Sequence, residues 1–125
     1  MNILIVDDEE EIREILTFTL ETEILADFIY AESGKDAIKC INELKDIDLI
    51  ICDDNMPNGN GGVVYKHLVS KDIQIPYVLC SSSNSDEFDI YKMGNQFLGE
   101  ITKPHIYEGV SKILNPYWSS AAYLL

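Results

Sequence analysis

Apolar positions along the chain follow two alternating spacings. Asn2–Val6 is an unbroken aliphatic run, as expected of a strand covered on both faces. Ile12, Ile15, Leu16, Thr19 and Leu20 then recur at helical intervals and predict an amphipathic helix of about three turns with those residues inward. Residues 24–30 read as a second strand. Ser33 is placed to cap a helix carrying Ala37, Ile38, Ile41 and Leu44 on one face. Residues 48–52 make a short apolar third strand that runs into Asp53-Asp54, and a glycine-rich turn over 57–62 leads to a helix over 63–69. A fourth strand is predicted over 75–80, with Pro76 tolerated near its start. A weaker helix over 86–93, a fifth strand over Phe97–Thr102 and a last helix over 107–114, ended by Pro116, complete the series.

Five alternations of strand and helix predict an α/β fold, a doubly wound five-stranded parallel sheet with five helices on its two faces. There is no internal repeat, linker or low-complexity segment. The expected organisation is one domain over residues 1–115 and a tail over 116–125. That tail is too apolar for a solvated end, so it packs on the domain, belongs to an interface, or is the cut edge of a longer protein.

Composition narrows the function classes. At 125 residues and 46% hydrophobic, the chain can bury a real core and is not disordered. Nine basic residues against 22 acidic ones give a net charge of −13. That field repels polyanions, so direct nucleic-acid binding and docking on an anionic membrane are not expected. Cys40, Cys52 and Cys80 are odd in number and lack metal-ligand spacing, which argues against a disulfide framework or a zinc site. No apolar stretch approaches the ~20 residues of a membrane helix, and the first strand meets carboxylates at once, unlike a signal peptide. The expectation is a cytoplasmic domain.

In an open parallel α/β sheet, ligands bind beyond the carboxyl ends of the strands. Strand one leaves Asp7 and Asp8 there, strand three Asp53, strand four Ser81, and strand five Lys103 followed by Pro104. Crowded carboxylates repel unless a cation neutralises them. The ligands on offer are hard oxygens, which favours Mg2+ or a similar ion that keeps open positions for a phosphoryl oxygen. Asp53 is then a carboxylate nucleophile beside a Lewis acid, with Lys103 and the Ser81 hydroxyl available to other phosphoryl oxygens. Each piece has a plainer reading: acids at a helix start, a turn at Asp53-Asp54, a polar loop after Ser81, a strand end at Lys103-Pro104. Their joint placement at four strand ends is what points to a site. By contrast Cys52 and Cys80 read as small buried hydrophobes, His67 and His105 lack partners at ligand spacing, and Asp54 points away from its neighbour Asp53.

With these residues the chain resembles the receiver domain of two-component response regulators, in its compact chemotaxis-regulator-like form, over essentially residues 1–115. The carriers are Ile3-Leu4-Ile5-Val6-Asp7-Asp8-Glu9, Leu49-Ile50-Ile51-Cys52-Asp53-Asp54-Asn55-Met56-Pro57, Val78-Leu79-Cys80-Ser81-Ser82 and Ile101-Thr102-Lys103-Pro104. The resemblance implies a flavodoxin-like fold with Asp53 as phosphoacceptor and Asp7, Asp8, Asp53 and the Asn55 carbonyl holding Mg2+. It gives Ser81 as the switch hydroxyl, Lys103 as the family's lysine, and a cis bond before Pro104. Ser83 falls where the family, as at Asn55, tunes the lifetime of the acyl phosphate. Implied partners are a sensor histidine kinase or histidine phosphotransfer protein, an effector or output domain, and a second copy in a phosphorylation-dependent homodimer. No external metabolite is turned over, so the domain is not an enzyme in the usual sense. One departure stands out: Glu100 occupies the position three before the lysine where the family often has Tyr or Phe. It is either a charge guarding an edge strand or a functional divergence. Residues 93–99 also look slightly longer than usual. Two other functions compete: a docking module that no longer needs phosphate, which Glu100 invites, and a metal-dependent phosphatase. The latter takes its nucleophile from the first strand and wants a second Asp where Glu9 stands.

Overall fold

The computed structural model describes residues 1–44, 46–82 and 88–118, apart from the side chain of Phe88. Expectations for Ser83, for the start of the fourth helix and for residues 119–125 lie outside the described residues. Strands β1 (Asn2–Val6), β2 (Asp27–Ala31), β3 (Leu49–Asp53), β4 (Tyr77–Ser81) and β5 (Phe97–Thr102) form one sheet in the order β2-β1-β3-β4-β5. Every pairing is parallel. Helices α1 (Glu10–Glu21), α2 (Gly34–Glu43), α3 (Gly61–Ser70) and α4 (Ile106–Ile113) connect and flank the strands, with a 3-10 segment at Phe88–Lys92 and a short α5 at Asn115–Trp118. The chain order reverses between β1 and β3, which opens the crevice where such sheets bind ligands.

Alternation along each buried strand builds two cores at once. Leu4, Val6, Ile50, Cys52, Tyr77 and Leu79 face one side, where they pack with residues of α2, α3 and Tyr91. Ile3, Ile5, Leu49, Ile51, Val78, Cys80 and Ile101 face the other, against α1, α4 and Trp118. Cys52 and Cys80 are therefore buried in opposite layers, and their burial pushes both thiols up, Cys80 to about 12. They are small hydrophobes and not a redox pair.

Several boundaries differ from expectation for identifiable reasons. Strand β2 begins at Asp27 because the last turn of α1 carries on to Ile24, whose N–H donates to the Leu20 carbonyl at 3.1 Å. Ile24 then plugs the core. Strand β4 begins after Pro76, which has no N–H for a ladder but lends its carbonyl to Ile50 N–H at 2.9 Å. On α1 the inward set is Leu16, Thr19 and Leu20, while Ile15 is 40% and Phe18 70% exposed. The described part of the predicted fourth helix is the 3-10 segment, held by Tyr91 stacking on Phe97 at 4.9 Å between ring centroids. Pro116 does not end the helical path. It sits in the first turn of α5, where a missing N–H costs nothing, and Trp118 N–H bonds to Leu114 O at 3.0 Å. This carries the indole of Trp118 into the core at 1% exposure.

One irregularity matters for the site. Tyr77 pairs with Phe97 but Val78 pairs with Gly99, so Leu98 is an extra residue, a bulge. Gly99 takes φ +146°, a conformation that favours glycine. Downstream of the bulge the sides of β5 are exchanged: Ile101 enters the α1/α4 core and Glu100 lies opposite Leu79 on the other face.

Candidate functional site

The three strands that end at the crevice each deliver one charged side chain to the same face. Asp7 follows Val6, Asp53 follows Cys52 and Lys103 follows Thr102, so all three continue the α1/α4 side of the alternation. Without the bulge, Lys103 would inherit the side of Phe97 and turn away. As built, Lys103 Nζ lies 2.8 Å from Asp7 Oδ2 and 3.4 Å from Asp53 Oδ1. Its own N–H continues the ladder onto the Ser81 carbonyl at 2.8 Å, and the next peptide bond, Lys103-Pro104, is cis as expected.

Asp7 is 1% exposed and fully engaged. Oδ1 accepts from Glu9 N–H at 2.9 Å, Oδ2 from Lys103, and its carbonyl accepts from the Arg13 guanidinium at 2.7 Å. Asp53 is 6% exposed, and its Oδ1 also accepts from Asn55 N–H at 3.4 Å, which holds the Asn55 main chain against it. Asp8 is exposed at the rim, and oxygens of Asp7, Asp8 and Asp53 lie within 4.8 Å of one another. Burial first, and the charge of Asp7 second, push the Asp53 carboxyl up to about 6, against the pull of Lys103 and the Asn55 N–H. For Lys103 burial acts downward, but the bond to Asp7 and the charge of Asp53 outweigh it and leave the ammonium above its ordinary value. A buried carboxylate held this high, with a second beside it, is a pocket short of positive charge. Its all-oxygen donor set suits a hard divalent cation.

The second side of the mouth is different. Ser81 is 3% exposed and continues the α2/α3 face, the side that Glu100 also takes opposite Leu79. Asp54 points to that face as expected and accepts from Tyr91 O–H at 3.0 Å. Of the predicted residues, then, Asp7, Asp8, Asp53, Asn55 and Lys103 meet in one cup, with the Ser81 main chain on its rim. Sequence reasoning missed Arg13, Tyr91 and the turn of Glu100 onto the Leu79 face. Arg13 carried a signal as the lone arginine one turn into α1, whereas Tyr91 stands 37 residues from Asp54 and carried none. His67 pairs with Asn42 at 3.0 Å, and His105 stands at the N-cap position of α4 without a side-chain cap bond.

An α/β sheet whose switch-point crevice gathers an acidic triad closed by a lysine is suited to a hard cation and an anionic ligand beside it. The sequence profile of the response regulator receiver domain matches residues 3–114. The response regulator SaeR of Staphylococcus aureus is 30% identical over 92 residues, which are 74% of this chain and 39% of SaeR, so the match spans well under half of that relative. Among solved structures, the receiver domain of Francisella response regulator 1452 has a TM-score of 0.76 at 27% identity, over 95% of this chain and 98% of that one. The Thermotoga maritima response regulator TrrA, solved in complex with Mg2+-BeF, gives 0.72 at 28% identity, over 90% of this chain and 98% of that one. The chain belongs to the response regulator receiver domains.

Proposed function

We propose that this domain takes a phosphoryl group onto Asp53 from the phosphohistidine of a sensor histidine kinase or histidine phosphotransfer protein. The observation that carries the reading is the Lys103 ammonium seated 2.8 Å from Asp7 and 3.4 Å from Asp53, a cation aimed where phosphoryl charge arrives. A carboxylate oxygen of Asp53 attacks phosphorus, the P–N bond breaks, and the imidazole leaves with the electron pair and takes a proton from solvent. Lys103 offsets charge on one phosphoryl oxygen as a point cation. A Mg2+ ion held by Asp7, Asp8, Asp53 and the Asn55 carbonyl would withdraw charge from the phosphoryl oxygens. TrrA, solved with Mg2+-BeF, supports that choice of ion.

The Ser81 hydroxyl then turns to the new phosphoryl group, and the surface around the 3-10 segment, β5 and α4 repacks to favour an effector, an output domain or a second phosphorylated copy. The place of action is the cytoplasm, where such kinases present their phosphohistidine. The chain promotes its own phosphorylation and dephosphorylation and turns over no external substrate. The test is intact-mass measurement after incubation with Mg2+ and acetyl phosphate. One added phosphoryl group, absent in Asp53→Asn and without Mg2+, is expected. No gain in the parent chain overturns the proposal, and steady turnover of small phosphoesters would favour a phosphatase instead.

A further inference from the structure

The opening N–H groups of a helix have no partner within it. In α2 the third of them, on Asp36, donates to the Ser33 hydroxyl oxygen at 3.0 Å. The first two leave the helix: Gly34 N–H donates to the Gly59 carbonyl at 2.9 Å and Lys35 N–H to the Asn58 carbonyl at 3.0 Å. Both acceptors lie at the tip of the loop that joins β3 to α3, where Asn58 and Gly59 take left-handed φ of +58° and +106°. The approach is close enough to demand glycine. A Cβ on Gly34 would overlap the Gly59 carbonyl oxygen and stand 2.6 Å from its carbon and 2.9 Å from its Cα, all main-chain atoms that cannot rotate aside.

The same loop carries Asn55. At its base Asn55 N–H bonds to Asp53 Oδ1 at 3.4 Å, Gly61 N–H returns to the Asp54 carbonyl at 3.0 Å, and Met56 is buried in the α2/α3 core. Resting on the phosphoacceptor reading above, we propose that Gly34 is a positioning residue for the cation site: its bare Cα lets the end of α2 seat the Asn58-Gly59 tip, which holds the Asn55 main chain beside Asp53 where its carbonyl serves the ion. Loops hold ligand atoms less precisely than helices or strands unless a second layer supports them. Here that layer is a helix end, fixed in turn by Ala37 and Ile41 in the core.

The probe is Mg2+ alone, titrated calorimetrically at fixed ionic strength into the parent chain and variants, with melts of the metal-free chains alongside. Gly34→Ala, which pushes the tip away, should weaken Mg2+ binding about tenfold. Lys35→Pro deletes the second N–H in a first turn that tolerates proline, and should weaken it similarly. Losing that lysine charge would by itself favour a cation, so a weaker site there reads the loop. Ile41→Val thins the core under the middle of α2; it should lower the melting temperature and leave the Mg2+ Kd within twofold. An unchanged Kd in Gly34→Ala and Lys35→Pro overturns the role of Gly34, as does an equal loss in Ile41→Val, which would mean that any loosening of α2 suffices. If Gly34→Ala does not fold, Lys35→Pro decides by the same criterion. If the parent chain binds no Mg2+, or Asp53→Asn binds it equally well, the phosphoacceptor reading itself fails and takes this one with it.

Discussion

The two sides of the pocket mouth are built on different physics. On the α1/α4 side, Asp7, Asp53 and Lys103 are ion-paired and almost sealed, with Asp7 at 1% exposure. On the α2/α3 side, Asp54 accepts a hydrogen bond from the Tyr91 hydroxyl, and Ser81 and Glu100 share that face. Formal charges at contact distance in a dry cup respond strongly to any arriving charge, and little to shape. Hydroxyl-to-acid bonds are worth less each and are directional, so they can exchange partners at modest cost. On the proposed function, the comparison implies a division of labour in which the ionic side would carry the phosphoryl chemistry and the hydrogen-bonded side would respond to it.

Removing the cation should have the largest effect. Lys103→Met leaves Asp7 and Asp53 buried together without a partner, and the metal-free domain should lose about 3 kcal/mol in urea unfolding. Added Mg2+ should recover a large part of it, since an ion can neutralise the same carboxylates. No loss would show that the ionic side is already solvated.

A smaller effect of opposite sign is expected at the nucleophile. The Asp53 carboxyl is raised from 3.8 to about 6 in the folded domain, so between those values the folded state binds more protons than the unfolded. Stability therefore falls as pH rises through that window, and the penalty is complete above about 6. Asp53→Asn should be more stable than the parent at pH 7.5 without metal, by on the order of 1–2 kcal/mol. The difference should close near pH 4, and Mg2+ should stabilise the parent far more than the variant. Thermal melts at both pH values decide it. A variant less stable at pH 7.5 would contradict the strained acidic cup.

The smallest effect belongs to the other side. Tyr91→Phe deletes the bond to Asp54 and should cost about 1 kcal/mol of stability. It should leave phosphorylation of Asp53 by acetyl phosphate within twofold of the parent. A large loss of phosphorylation would show that the two sides are not separable.

Much of the ionic side was legible in the chain. Continuous apolar runs located the strands, and a charged residue directly after such a run must lie at a strand end, whichever way the sheet is ordered. Asp7, Asp53 and Lys103 follow from that alone. The hydrogen-bonded side was not legible, because it depends on contacts between strands and on a parity that local pattern does not carry. The string Phe97-Leu98-Gly99-Glu100-Ile101-Thr102 can be read with Glu100 on either face, and only pairing with β4 reveals that Leu98 is supernumerary. Helical spacing likewise put Ile15 inward, whereas the wide apolar stripe of α1 is buried only where the sheet reaches it. The weak period after residue 86 was a truthful signal, since the described part of that segment is a single 3-10 stretch carried by aromatic stacking.

The supernumerary residue has a practical corollary for anyone grafting or aligning this strand. The orientation of the ammonium is fixed by a count, so position must be numbered backwards from Lys103 and not forwards from the aromatic anchor Phe97. A transplant that preserved every neighbouring side chain but trimmed this spacer would present the lysine to the tyrosine layer and Glu100 to the acidic pair, inverting the polarity of the opening.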